Sequence, residues 1–270
     1  MSKPAKKILV LPDAHYPHHD PDAMACIAAV VEHLDPDEVI VLGDWLDAGG
    51  FSRHGPHSFA DGAHDFLESE VGPCNEMLDT LQGAKDRKLI YLEGNHEERV
   101  NRWLVSNAGK VGPSLAKLSS PDRLLRWRVD GDGVPGVRRK NFGWVPYLGK
   151  DVHSHHRIAP DLVAIHGWSF AVGFNHVNRH SAPSTSIVCG HVHRADALNT
   201  RDAITGQRRR YWCPGALCKL VPLYQANSPS TWTHGFSLIY QSRRAARHWT
   251  AYDIAIDRGC CVLPDGTEIK

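Results

Sequence analysis

The run Val39-Ile40-Val41-Leu42, closed at once by Gly43-Asp44, constrains this chain more than any other stretch. Four consecutive apolar residues leave no polar face for water, so they read as a strand covered on both sides, the mark of a parallel sheet in an α/β protein. Gly43 and Asp44 then deliver a carboxylate to the carboxyl edge of that sheet, where ligands bind in open α/β folds. The residues before it agree. Ile8-Leu9-Val10-Leu11 is a second apolar run, stopped by Pro12. Asp20 is a good N-cap, Pro21 suits the first helical position, and 24–34 carries helical spacing until Asp35-Pro36-Asp37 breaks it. Strand, helix and strand in that order form a β-α-β unit.

The same punctuation continues. Residues 48–62 read as a loop, and 63–83 predict a helix kinked or broken at Gly72-Pro73. Lys88–Leu92 is a third strand with Glu93-Gly94-Asn95-His96-Glu97 at its end, and 97–107 predict a helix. Leu162–Ile165 runs into His166-Gly167, and Ser186–Cys189 into Gly190-His191-Val192-His193. Beyond Arg194, β-like runs at 211–213, 236–240 and 249–256 predict an antiparallel half. Residues 109–150 are the least regular, interleaving Arg123, Arg126, Arg128, Arg138, Arg139 and Lys140 with Trp127, Phe142, Trp144 and Tyr147. They read either as an insert packing its own aromatics under solvated arginines or as a lid that contacts phosphate. The expectation is one domain over 1–270, with 109–150 as its cap or insert.

Composition removes several classes. A net charge of +1 gives no global field to draw nucleic acid or a membrane, although the 18 histidines would make the surface basic on mild acidification. The seven cysteines are odd in number and lack C-x-x-C spacing, which favours a reduced, cytoplasmic chain over a disulfide framework or zinc knuckle. Only Ile8–Leu11 follow the basic N-terminus before Pro12, too short for a signal segment, and no stretch approaches a membrane span.

Several strand ends could share a metal. Asp13 and His15 lie two apart beyond a strand, so their side chains can point the same way. His191 and His193 repeat that spacing and, in an extended segment, would have Cα atoms about 6–7 Å apart. This suits one imidazole for each of two metals ~3.5–4 Å apart. Asp44, Asn95 and His166 each sit at a strand end. The mixed oxygen and nitrogen set suits Mn, Fe or Zn rather than Ca or Mg, and no thiolate belongs to it.

Asp13-x-His15, Gly43-Asp44-x-x-Asp47, Gly94-Asn95-His96-Glu97, His166-Gly167 and Gly190-His191-x-His193 stand in the order of the five motifs of the calcineurin-like metallophosphoesterases. The chain resembles the small bacterial and phage-borne members. The resemblance implies a four-layer α/β/β/α sandwich of two mixed sheets and a dinuclear centre. Asp13, His15, Asp44 and His193 would hold one ion and Asp44, Asn95, His166 and His191 the other, with Asp44 bridging. The ions would be divalent, Mn²⁺ first, with Fe, Zn or Ni as alternatives. A hydroxide activated between them would attack phosphorus, His96 would protonate the leaving oxygen or stabilise its developing charge, and Asp47 would orient His96. Arg99 and Arg194 follow motif residues closely and are candidate phosphate contacts, as is Arg102; helix salt bridges are the competing reading.

Asp47 is followed by Ala48-Gly49-Gly50 rather than the Arg-Gly of the Ser/Thr phosphatases, and position 47 is not the tyrosine of purple acid phosphatases. That leaves phosphodiesterases, nucleases, nucleotide hydrolases and small-molecule phosphatases, and the basic, aromatic region 109–150 favours a phosphodiesterase or nuclease acting on a phosphoester of nucleic acid or nucleotides. The alternatives are a monoesterase on small metabolites or nucleotides and a non-catalytic protein-binding platform. Steep salt dependence would mark the first, weak salt dependence the second, and missing ligands the third. No membrane and no protein partner are predicted. His153, His155 and His156 read as a solvated loop, Arg208-Arg209-Arg210 and Arg243-Arg244 as turn or surface charges, and His18, His54 and His57 as loop residues.

Overall fold

Alternation along the strands decides the layers. In β1 (Lys6–Leu11), Leu9 and Leu11 enter one buried cluster while Ile8 and Val10 enter another. The same split runs through β2 (Glu38–Val41) and β3 (Lys88–Leu92): Val39, Val41, Leu89 and Tyr91 face one way, Ile40, Ile90 and Leu92 the other. Successive side chains point to opposite faces, so a run apolar on both needs a cover on each. On the outer face the cover is helical, with α1 (Pro21–Leu34) and α2 (Gly72–Gln82) contributing Ile27, Val30, Leu78 and Leu81. On the inner face it is a second sheet. The structure is a computed structural model and describes residues 4–52, 65–128, 136–147, 154–221 and 230–270.

The first sheet has the order β11-β10-β1-β2-β3-β4, with β4 at Phe142–Val145, β10 at Gly235–Gln241 and β11 at Trp249–Ala255. β1 to β4 are parallel, and β10 and β11 add antiparallel strands. The second sheet runs β5 (His156–Ala159), β6 (Leu162–Ile165), β7 (Ser186–Cys189), β9 (Arg208–Pro214) and β8 (Ala195–Arg201), with antiparallel strands at both edges. Leu162, Ala164, Val188 and Trp212 meet the first sheet, while Val163, Ile165, Ile187 and Tyr211 pack on Phe174 of the helix Phe174–Ser181. The fold is thus the expected sandwich of two mixed sheets flanked by helices. A short pairing, Cys261–Val262 with Glu268–Ile269, lies near the C-terminus.

Several expectations need correction. The helix expected at 97–107 begins two residues earlier: α3 is Asn95–Ser106, because the Glu97 carboxylate accepts the Gly94 N–H at 2.9 Å and starts the first turn sooner. In the predicted 63–83 helix, Leu67–Val71 forms a wide π-helical turn before α2. Pro73 has no N–H to give and would crowd the carbonyl four residues back, and the wider turn relieves both.

Residues 109–150 are not an insert throughout. Short helices at Ala108–Val111, Pro113–Leu118 and Pro121–Arg126 lead to β4, whose Trp144 stacks on Tyr91 with centroids 4.8 Å apart. Arg139 is buried rather than solvated, bonded to Asp79, Asn75 and the Leu125 carbonyl. Arg208-Arg209-Arg210 open β9 instead of forming a turn. His156 opens β5, and its Nε2 lies 3.0 Å from Glu38 Oε1, where a solvated loop was expected. His54, His57 and His153 lie outside the described residues. No helix among those described is long and apolar enough to cross a membrane.

Candidate dinuclear metal centre

Five parallel strands of the two sheets, β1, β2, β3, β6 and β7, end on the same edge, and their outgoing loops continue the pairing. His15 N–H donates to the Asp44 carbonyl at 2.9 Å, Tyr16 N–H to Trp45 at 2.7 Å, and Gly190 N–H to His166 at 2.8 Å. These bonds bring the sequence-predicted ligands Asp13, His15, Asp44, His166, His191 and His193 to one buried place. Asn95, the first residue of α3, joins them.

Two groups form. In one, His15 Nε2 lies 3.1 Å from His193 Nε2, which lies 3.3 Å from Asp13 Oδ1. In the other, His166 Nε2 lies 2.9 Å from Asn95 Oδ1, 3.3 Å from Asp44 Oδ2 and 3.2 Å from His191 Nδ1. Asp44 Oδ2 is also 3.9 Å from His15 Nε2, so it stands between the groups.

The hydrogen bonds behind these atoms fix their tautomers. His15 Nδ1–H donates to Asp47 Oδ1 at 3.0 Å and His166 Nδ1–H to the Leu42 carbonyl at 2.8 Å. In the neutral ring each Nε2 therefore presents a lone pair to the cluster, the arrangement that orients metal-binding imidazoles. A positive centre has to sit among the acceptors around His166 Nε2: a cation, or a proton on His166 itself. Burial would lower the His166 pKa, yet the Asp44 carboxylate outweighs it and pushes the value up to about 10. Burial and the His166 charge together pull His191 down to about 3, keeping it neutral. Its Nε2 is buried without a hydrogen-bond partner. Imidazole nitrogens of His166 and His191 converging with the Asp44 and Asn95 oxygens at 2.9–3.3 Å fit a divalent ion, and the mixed nitrogen and oxygen donor set suits a transition metal.

Backbone strain is concentrated here. His15, Asp44, His191 and His193 have φ of 54°, 52°, 75° and 59°, a region few non-glycine residues adopt. The extended segment expected for 191–193 is absent: Val192 N–H bonds back to the Gly190 carbonyl at 2.9 Å, closing a γ-turn on His191. Glycines make the space. A Cβ on Gly94 would strike Asp44 Oδ1, one on Gly190 would strike Asp13 Oδ2, and one on Gly43 would come within 2.7 Å of the Gly94 nitrogen.

Glu97 stands in the third motif without a role of its own in the resemblance. Fully buried, it accepts N–H bonds from Asp44, Trp45, Leu46 and Gly94 at 2.9–3.0 Å and the Tyr91 hydroxyl at 2.6 Å. It therefore clamps the β2 loop to the start of α3. Burial and the Asp44 charge push its carboxyl up, opposed by these donors. Its signal was positional: an acid at the third residue of a helix.

His96 and Asp47 stand beside the first group. His96 Nδ1–H donates to the Asp47 carbonyl at 2.6 Å, and its ring meets His15 edge-on at 4.4 Å. The Asp47 carboxylate lies 3.3 Å from the same nitrogen, so it touches both imidazoles. Burial would lower the His96 pKa; Asp44 and Asp47 outweigh it and raise it. His15 and His96 hold the buried Asp47 carboxyl well below the usual range. Arg99 Nη2 donates to His96 Nε2 at 2.9 Å, placing a guanidinium where a cation on that nitrogen would be repelled. Arg102 takes the helix salt bridge, to Glu98 at 3.4 Å. Arg194 bonds the Ala171 carbonyl at 2.8 Å and lies over Phe174.

Aromatic rings surround the cluster. Phe170, 72% exposed, lies 3.9 Å from the His191 ring; Trp232 meets His193 edge-on at 4.1 Å, and Tyr147 faces His166 at 6.2 Å. Phe170 and Trp232 carried no signal in the sequence, being single aromatics in loops.

Comparison with known proteins bears on this geometry. The model of a family described as calcineurin-like phosphoesterase matches residues 6–195. The gene 54 protein of Mycobacterium phage D29 is 24% identical over 249 residues, covering 87% of this chain and 89% of that protein. Among solved structures, vacuolar protein sorting 29 from Cryptosporidium parvum aligns at 12% identity and a TM-score of 0.46, covering 96% of this chain and 95% of that one. A metallophosphoesterase from Sphaerobacter thermophilus aligns at 13% identity and 0.41, covering 94% and 88%.

Proposed function

Because the chain belongs to the calcineurin-like phosphoesterase family, whose members carry out metal-dependent phosphoester hydrolysis, we propose that its substrates are phosphodiesters, in nucleic acid or nucleotides. What supports the diester reading is the pair of rings flanking the centre, Phe170 on His191 and Trp232 on His193. A diester carries an organic group on each side of phosphorus, and each metal group has its own aromatic surface on which a base could stack.

Asp13, His15, Asp44 and His193 would hold one divalent ion, Mn²⁺ in the first instance, and Asp44, Asn95, His166 and His191 the other. When bound, such a pair neutralises charge on the phosphoryl oxygens and lowers the pKa of a water. The chain's own residues do the rest. Glu97 and the glycine cradle hold Asp44 between the two groups, so that both assemble around one carboxylate. His96, with Nδ1–H anchored on Asp47, would take up a proton from solvent on Nε2 once Arg99 leaves that nitrogen, and would pass it to the leaving oxygen. Arg99, which donates to His96 Nε2 and to the Asp47 carbonyl at 3.3 Å in the resting chain, would exchange these bonds for a phosphoryl oxygen when substrate arrives.

The test is kcat/KM on an aryl phosphodiester against the matching monoester, after metal stripping and reloading with Mn²⁺. A diester preference of about tenfold or more, some ~1.4 kcal/mol of differential transition-state binding, is expected. A monoester preference would overturn the diester reading, and a metal-loaded chain inert on both would favour a binding platform.

A further inference from the structure

At the opposite edge of the same sheets the strand ends enclose a trough of about 1000 Å³. One wall is the β8–β9 hairpin with Arg201, Arg208 and Arg209; the other is the start of β11 with Arg247, His248 and Trp249. A second hollow of about 650 Å³ shares residues 247–250 and extends the trough past Arg244. β9 spans seven residues between this edge and the metal end, so at ~3.3 Å per residue the two are about 20 Å apart.

The charge here is not internally balanced. Arg210 pairs with Asp253 and Arg243 with Asp37, whereas among the described residues Arg201, Arg208, Arg244 and Arg247 meet no carboxylate and are exposed. They are strung along an open trough rather than aimed at one point, which suits a repeating anion better than a single phosphate. An aromatic ring sits among them. Trp249 is half-buried, its Nε1–H donates to Asp161 at 3.1 Å, and its ring stacks over Trp212 at 6.2 Å. Guanidinium groups interleaved with a fixed ring match the chemistry of a single nucleic-acid strand, in which phosphates alternate with flat bases.

We propose that this trough binds the backbone of a single-stranded nucleic acid, about 20 Å from the metal centre. Binding here breaks no bond, so the proposal does not rest on the diester reading. For a long strand, the second contact would raise the effective concentration of phosphodiester near the metals.

The experiment is fluorescence anisotropy of the full chain with a fluorescein-labelled oligothymidylate over a salt series, recorded before measurable cleavage. The variant combines Arg201→Gln, Arg208→Gln and Arg247→Gln. It should bind about tenfold or more weakly, with a slope of log affinity against log salt shallower by about 2, at ~0.7 per phosphate contact. Turnover of an aryl phosphodiester should be unchanged, and lysine at the same three positions should restore most of the binding. Unchanged affinity and slope in the glutamine variant would overturn the proposal. So would tighter binding of the native chain to phosphatidylserine vesicles or polyglutamate than to oligothymidylate. A chain inert on the aryl diester that still binds through these arginines would sink the diester reading and leave the trough standing.

Discussion

The two edges of this sandwich both gather charged side chains, and they do so by opposite means. At the carboxyl edge Asp13, Asp44, His166 and His191 are buried, four candidate ligands have positive φ, and glycines give way so that carboxylates can approach the backbone. At the amino edge Arg201 of β8 and Arg208 of β9 project from regular strands into solvent. Burying charge requires every donor and acceptor to be answered, which forces irregular backbone and a clamp such as Glu97. Exposed guanidinium groups are answered by water and need only a strand. Glu38 is the exception at the amino edge. It is buried and pairs with Lys6, with Lys88 at 2.9 Å and with His156 at 3.0 Å, tying the second sheet to the first.

The contrast can be broken from either side. The largest effect is expected at His96: His96→Ala should lower kcat by about 10²–10⁴-fold while both metals stay bound, as measured by turnover and metal content. Loss of a metal would make His96 a ligand instead. Glu97→Gln comes next. It sets an amide NH₂ against backbone donors now facing a carboxylate, and should cost about 2–4 kcal/mol in urea unfolding. No loss would show that the buried edge does not depend on its clamp.

The amino edge has a pH signature. Burial would raise the Glu38 carboxyl, but its bonds to His156, Lys6 and Lys88 outweigh burial and hold it at about 2. The folded value lies below the unfolded one near 4.5, so this stabilisation is present above pH 4.5 and is lost as pH falls through 2. It amounts to on the order of 3 kcal/mol. Glu38→Gln should flatten stability against pH across that interval; an unchanged acid limb would show that the cluster contributes nothing.

Gly94→Ala should drive a methyl into Asp44 and reduce kcat/KM about 10²-fold, with metal lost in proportion. The smallest effect belongs to the trough: Arg208→Gln alone should change stability by less than about 0.5 kcal/mol. A larger loss would mean that its guanidinium holds the hairpin together.

Much of the carboxyl edge could be read in advance, because a fully apolar strand ending in a polar residue is a strong local signal. β1, β2, β3, β6 and β7 lie where their apolar runs predict, and the residues just beyond them converge. β4 was missed because Phe142-Gly143-Trp144-Val145 is short and broken by glycine. β8 was missed because an edge strand with exposed faces shows little alternation. Phe170 and Trp232 reach the site on loops whose course depends on distant packing.

Strand period and the residue types at strand ends were enough for an α/β chain with candidate ligands on one edge, while the two-sheet sandwich and the division of those ligands between two ions were implied by the order of the five motifs. Tertiary structure alone decided the rest. The positive φ values at 15, 44, 191 and 193, the placing of Glu97 against four backbone N–H groups, and the facing of Arg208 and Arg247 across one trough depend on segments far apart in the chain. Local preferences disfavour those backbone angles, and no local pattern encodes those contacts. They persist because the packed sheets hold them there.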